Sequence, residues 1–344
     1  MWFLYLGIFS LAICISAVLT FLARVIAYRY GIVDIPNARK VHYHPIALLG
    51  GMGPALAWML IIIFTWLYNP ALLLDGRISM GLLVGLCVAT IVILVGGYID
   101  DRYGARPIIQ LVFPVIAIVI MLLSGLRIHG VTNPLGGTIG VAPLISACIV
   151  LVWILAISMT TKIQDGIDGL VGGLGVIGGL IIFAVSLFWD VPSSATSLLA
   201  LVFAGCMAGF LILNWHPASV FLGEGGSIWC GFMLAALSII SGSKIATTVL
   251  LLSLPIFDVT WAIIRRWYGR RPITQGDAQH IHHELLRRNF SHQQIILIFY
   301  CISTTLGIIS LYVSTLTKIF LFLSVIFFLS ILLALSYRHK HASA

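Results

Sequence analysis

SMGLLVGLCVATIVILVGGYI, residues 79-99, runs without a single charge and then stops on two acids, Asp100 and Asp101. At about 1.5 Å of helical rise per residue, such a segment crosses the roughly 30 Å hydrocarbon core of a bilayer. Ten further segments read the same way: 2-23, 47-67, 107-125, 141-160, 170-189, 195-213, 227-241, 246-264, 293-314 and 318-336. Helices are the expected form, because an open sheet would leave backbone groups unpaired in lipid. The composition agrees. The residues AVILMFWYC make up 60% of 344 positions, DEKR only 9%, and mean hydropathy is +1.11, outside the usual mix for soluble domains. The expected fold is all-α: a polytopic integral membrane protein of about 11 transmembrane helices, forming one catalytic domain over 1-344.

The net charge of +8 does not point to nucleic acid, because the charges are sparse and lie between apolar runs, where they set membrane topology. Of the 19 Lys and Arg residues, all but Arg77, Arg127, Lys244 and Lys318 fall in alternate connections on one side. The positive-inside rule therefore puts the N-terminus outside and the C-terminus inside. The opening MWFLYLGIFS has no Lys or Arg ahead of its apolar run and no small-residue cleavage pattern, so it reads as a retained first span. The six cysteines stand singly in apolar stretches and read as packing residues.

The topology rule says little about acids, yet of the 11 acidic residues only Asp75 and Asp190 lie on the outer side, and of the ten histidines only His129 does. Several inner segments bring acids, bases and glycines to one membrane face. VGGYIDDRYG (95-104) ends on adjacent carboxylates, whose repulsion and desolvation call for a cation, a proton, or simple neutralisation by Arg102 and Arg106. TTKIQDGIDGL (160-170) carries Asp165 and Asp168 beside Gly166 and Gly169; one Asp suffices to cap a helix, and the second needs another use. In NWHPASVFLGEGGS (214-227), glycines bracket Glu224, a pattern that offers backbone N–H groups to phosphate and a carboxylate to metal, or forms an ordinary tight turn.

DAQHIHHELLRR (277-288) clusters His280, His282 and His283 near Arg265 and Arg266. Histidine clusters bind metals such as zinc, but a loop this cationic better suits a clamp for a polyanion. VDIPNARKVHYHPIALLGG (33-51) adds Arg39, Lys40 and His42, placed to steer anionic substrates or to enforce topology. Asp258 lies seven residues before Arg265 on about the same helical face, so it either serves the site or pairs with a cation.

In order and spacing these motifs resemble the polyprenyl-phosphate N-acetylhexosamine-1-phosphate transferase family, and more distantly the phospho-N-acetylmuramoyl-pentapeptide transferases. The likeness runs from DIPNARKVH through DD, DGIDGL and PASVFLGEGGS to DAQHIHH. It implies transfer of N-acetylhexosamine 1-phosphate from a UDP-sugar to undecaprenyl phosphate, dependent on Mg2+ or Mn2+, which starts an O-antigen or related envelope glycan. It also implies a multi-pass protein of the bacterial inner membrane with its active site toward the cytoplasm, and a homodimer is compatible with it. Carried over residue by residue, Asp100, Asp101 and Asp168 become catalytic, and Asp101, Asp168 and Glu224 metal-binding. Lys162, Asp165, Arg39, Lys40, His42, Asn214, Arg265, Arg266, His280, His282 and His283 become substrate contacts.

The chain departs from the family pattern at several points. Glu224 stands where an Asp is usual, Met159 and Lys162 replace two asparagines, Gln110 replaces a lysine, and Ala278 an arginine. Our hypothesis is that Lys162 supplies the phosphate-binding charge missing at Gln110. The alternatives are a transporter or flippase of anionic substrates, which predicts broken helices and midplane charges, and a catalytically altered family member.

Overall fold

The computed structural model describes residues 2–36, 44–74, 78–133, 137–189, 195–242, 244–270 and 280–342. Among them are thirteen α-helices: α1 (Trp2–Tyr30), α2 (Met52–Tyr68), α3 (Met80–Tyr103), α4 (Pro107–Leu123), α5 (Pro143–Gln164), α6 (Leu170–Trp189), α7 (Ala195–Asn214), α8 (Gly223–Ile240), α9 (Ile245–Leu251), α10 (Ser253–Tyr268), α11 (Ile281–Arg287), α12 (His292–Tyr312) and α13 (Thr315–Ala342). The strands are confined to two short antiparallel hairpins, β1 (Val33–Asp34) with β2 (Ile46–Ala47) and β3 (Gly130–Thr132) with β4 (Thr138–Gly140).

Each of the eleven expected segments falls on helix, but fewer than eleven qualify as spans by length and composition. Eight helices pass that test, and a ninth crossing is counted if α9 and α10 are one bent span. The helix α4 has only 17 residues, which at about 1.5 Å each falls short of a roughly 30 Å core. The segment read as one span at 246-264 is broken at Leu252, where α9 and α10 meet at 76°. Pro255 lies in the first turn of α10, a position that tolerates its missing N–H and steric bulk; the middle of a continuous span would not. The chain thus has the architecture of a polytopic membrane protein, with Phe3, Phe64, Leu123, Leu144 and Ile212 among the large apolar side chains turned outward.

The bundle is organised around α8. Every residue of this helix except Glu224 is buried, as befits a helix apolar on all sides. It packs against α3, α5 and α6, while α7 packs against α1, α2 and α6. Small residues let backbones approach in lipid, where helix contacts depend on close packing. A Cβ on Gly97 of α3 would strike the backbone of Gly225, and one on Gly51 would strike Gly226, so the start of α8 is wedged between α3 and the turn that precedes α2.

The same end of α8 is tied to the first inner segment. Phe221 N–H donates to Ala47 O (2.8 Å), Gly50 N–H to Phe221 O (3.0 Å) and Gly51 N–H to Leu222 O (2.8 Å). Gly223 begins the helix at φ +73°, and a side chain there would meet Leu48 O and Asp101 Oδ2. Only glycine adopts this left-handed conformation without strain and leaves that space open. Glu224 is thereby held at the mouth of the bundle.

Candidate active site

A cavity of about 970 Å³ opens where one end of α1, α3, α5, α7 and α8 meets the starts of α11 and α12. All five inner segments quoted above reach it: Asp34 and His44 from the first, Asp101 from the second, Lys162, Asp165 and Asp168 from the third, Asn214 and Glu224 from the fourth, and His283 from the fifth. Five carboxylates and one ammonium thus line one cavity. Such a concave site with convergent polar groups suits a small ligand.

The two acids closing α3 face different ways. Asp101 accepts the Glu224 backbone N–H at 3.1 and 3.3 Å on its two oxygens, a favourable place for a carboxylate at the positive end of α8. Asp100 turns toward the connection to α4, where it accepts from Ala105 N–H (2.7 Å) and Gln110 Nε2 (3.0 Å). It is absent from the cavity lining, where its neighbour Asp101 is present. Gln110 in turn accepts from Lys162 Nζ at 2.7 Å, and the same ammonium pairs with Glu224 Oε1.

The turn between α5 and α6 is fixed from three sides. Asp168 Oδ2 is 2.8 Å from His216 Nδ1 and accepts Ala218 N–H at 3.0 Å. Tyr300 donates to Gly169 O at 2.5 Å, and Gly169 N–H donates to Asn214 Oδ1 at 2.9 Å. Asn214 also donates to Val220 O at 2.9 Å, so its amide joins two stretches of backbone and leaves less of it for substrate. No hydrogen-bond donor to the Asp165 carboxylate is found among the described residues. Burial, followed by the neighbouring carboxylates of Glu224 and Asp168, pushes Asp165 up to about 8.

The histidine cluster is only partly a clamp. His280 is buried, with Nδ1 2.9 Å from Asp258 Oδ2; Asp258 also accepts Gln164 Nε2 (2.7 Å) and Ile281 N–H (2.7 Å). The side chain that meets Asp258 is therefore His280 at the cap of α11, not the arginine on the same helical face. The His282 ring lies 4.3 Å from that of His283; burial and then His283 push it down to about 3, so it stays neutral. Only His283 of the three lines the cavity, and Arg265 and Arg266 do not. Arg39, Lys40 and His42 lie outside the described residues, as do Asp277 and Ala278.

Each acid of the expected metal trio meets a protein partner. Among the described residues, no three His, Cys, Asp or Glu side chains converge closely enough to hold a metal ion. Asp101, Asp168 and Glu224 therefore do not form a ready-made cage, because each leans on a protein partner: the α8 backbone, His216 and Lys162.

The sequence pattern of glycosyl transferase family 4 matches residues 83–242. A decaprenyl-phosphate N-acetylglucosaminephosphotransferase of Mycobacterium tuberculosis is 31% identical over 83% of this chain and 77% of the relative. The chain belongs to glycosyl transferase family 4. A Bacillus subtilis protein named "Probable undecaprenyl-phosphate N-acetylglucosaminyl 1-phosphate transferase" is 29% identical over 94% of this chain and 88% of its own length. An undecaprenyl-phosphate alpha-N-acetylglucosaminyl 1-phosphate transferase of Yersinia pestis is 26% identical over 98% and 91%.

In this family 4 chain the site includes residues that the motifs did not single out. His216 and His292 stack at 4.5 Å with ring planes 4° apart, and both line the cavity with Arg24 and Tyr28. The signal for His216 was present in NWHPA, next to the glycine turn. His292 follows Ser291, whose capping box with Gln294 starts α12; that box is visible in SHQQ, but nothing local says the helix begins at the cavity.

Proposed function

We propose that this protein transfers N-acetylhexosamine 1-phosphate from a UDP-sugar to a polyprenyl phosphate, giving a diphosphate-linked lipid sugar and UMP. An oxygen of the lipid phosphate bonds to the phosphorus that carries the sugar, the bond from that phosphorus to UMP breaks, and UMP leaves with the electron pair. Such phosphoryl chemistry depends on positioning and on neutralising phosphate charge. The observation that carries the reading is the convergence of Asp101, Lys162, Asp165, Asp168, Glu224 and His283 on one cavity at the end of a membrane bundle. The relatives' names support the lipid phosphate and the amino sugar. By the positive-inside rule the cavity faces the cytoplasm of a bacterial inner membrane.

In this reading Lys162 meets the donor's diphosphate and Arg24 and His283 flank it, which their shared presence on the cavity wall supports. The acid set also fits Mg2+, with Mn2+ as its substitute. Asp165 has no donor among the described residues and neighbours two further carboxylates, and Mg2+ takes one or two carboxylates together with water and substrate phosphates. Asp165, with Asp168 or Asp101 as a second carboxylate, would hold the ion, which when bound neutralises the diphosphate. No three-carboxylate cage is needed for that.

Asp165 makes the metal-free protein sensitive to pH. Its raised carboxyl keeps a proton that the unfolded chain releases near the ordinary 3.8. The folded state therefore binds more protons than the unfolded one between about pH 4 and pH 8, and stability falls as pH rises through that window. Melting in detergent without divalent ions should show this decline, and added Mg2+ should raise the melting temperature more at pH 8 than at pH 5. Equal Mg2+ gains at both pH values would contradict it.

Purified protein with Mg2+, undecaprenyl phosphate and a panel of UDP-sugars tests the activity. Release of UMP with a UDP-N-acetylhexosamine is expected; silence with every UDP-sugar would overturn the reading.

A further inference from the structure

We propose that Glu224 is a positioning residue that aims Lys162 into the cavity and takes no part in holding the divalent ion. The proposal deepens the phosphotransferase reading and rests on it for the identity of the anion that Lys162 meets. Its basis is a chain of contacts across four helices. Asp100 at the end of α3 accepts from Gln110 Nε2 of α4 at 3.0 Å and 3.1 Å. Gln110 Oε1 accepts from Lys162 Nζ of α5 at 2.7 Å. That ammonium then pairs with Glu224 Oε1 on the first turn of α8.

Both ends of the ion pair are largely withdrawn from solvent, at 20% and 15% exposure. A flexible lysine loses rotamer freedom when held, and two acceptors on opposite helices fix its head where solvent alone would leave it mobile. A shorter acid at 224 would stop about 1.5 Å back along the chain, out of reach of that ammonium. Glu224 already has its unit of positive charge, and a divalent ion beside the ammonium would be repelled by it. Asp165, which lines the cavity beside Asp168 and meets no hydrogen-bond donor among the described residues, is the carboxylate left to attract metal.

Metal affinity separates the two roles. Mn2+ is titrated into the purified full-length protein in detergent without nucleotide, and free Mn2+ is read by electron paramagnetic resonance. Glu224→Gln should bind Mn2+ severalfold more weakly than the parent, because it leaves the repelling ammonium uncovered. Lys162→Met should bind it severalfold more tightly, since it removes a repelling charge. The double variant should return to the parent's affinity, which a misfolded site would not do. Loss of Mn2+ affinity by tenfold or more in the double variant, or no gain in Lys162→Met, would overturn the proposal. Failure of sugar-phosphate transfer in the parent, with this Mn2+ pattern intact, would strike the activity and leave the role of Glu224 standing.

Discussion

Lys162→Gln should lower kcat/KM for sugar-phosphate transfer by about 10²- to 10³-fold, the usual cost of removing one preorganised group that stabilises transition-state charge. The expectation began as a trade of residues: Gln110 stands where a lysine was expected and Lys162 where an asparagine was. The structure brings the two side chains within 2.7 Å, so one positive charge has two addresses on neighbouring helices. Glutamine keeps much of the lysine's length but not its charge, and leaves Glu224 without its counter-ion. A Lys162→Gln enzyme with unchanged kinetics would reject the role. Lys162→Arg, which keeps the charge, should retain far more activity than Lys162→Gln.

Asp258→Ala should cost on the order of 3 kcal/mol of stability and most of the transfer activity, because it leaves buried groups without partners. Asp258 alone receives Gln164 from α5, His280, and the first backbone N–H of α11. Removing it frees the helix that carries His283 to the cavity. The checks are a melting curve in detergent and kcat/KM on the same sample. An alanine variant that melts and turns over like the parent would contradict this view of Asp258.

Much of this arrangement was legible from residue order. Long uncharged runs mark membrane helices because lipid offers no partner for a charge, and the side of the acids marked the face of the site. What failed was arithmetic at the margins. The 17 residues of α4 are apolar but short, and Pro255 divided a segment that hydropathy alone reads as continuous. Direction within a motif was not legible either. Adjacent residues on a helix point about 100° apart, so Asp101 reaches the cavity while Asp100 binds the next turn. HxHH suggested three equivalent imidazoles, yet packing against Asp258 buries His280 and leaves only His283 facing the cavity. His216 and His292 come together from segments far apart in the chain, and their stacking exists only in the folded bundle.

The central claim is that a sugar and its phosphate move together. A UDP-N-acetylhexosamine labelled with ³²P at the phosphorus next to the sugar, incubated with the protein, Mg2+ and undecaprenyl phosphate, tests it directly. The account predicts that the label enters the lipid extract in step with the sugar and that the nucleotide released is unlabelled UMP. Label remaining on the nucleotide as UDP while sugar alone reaches the lipid, or no lipid product at all, would contradict it.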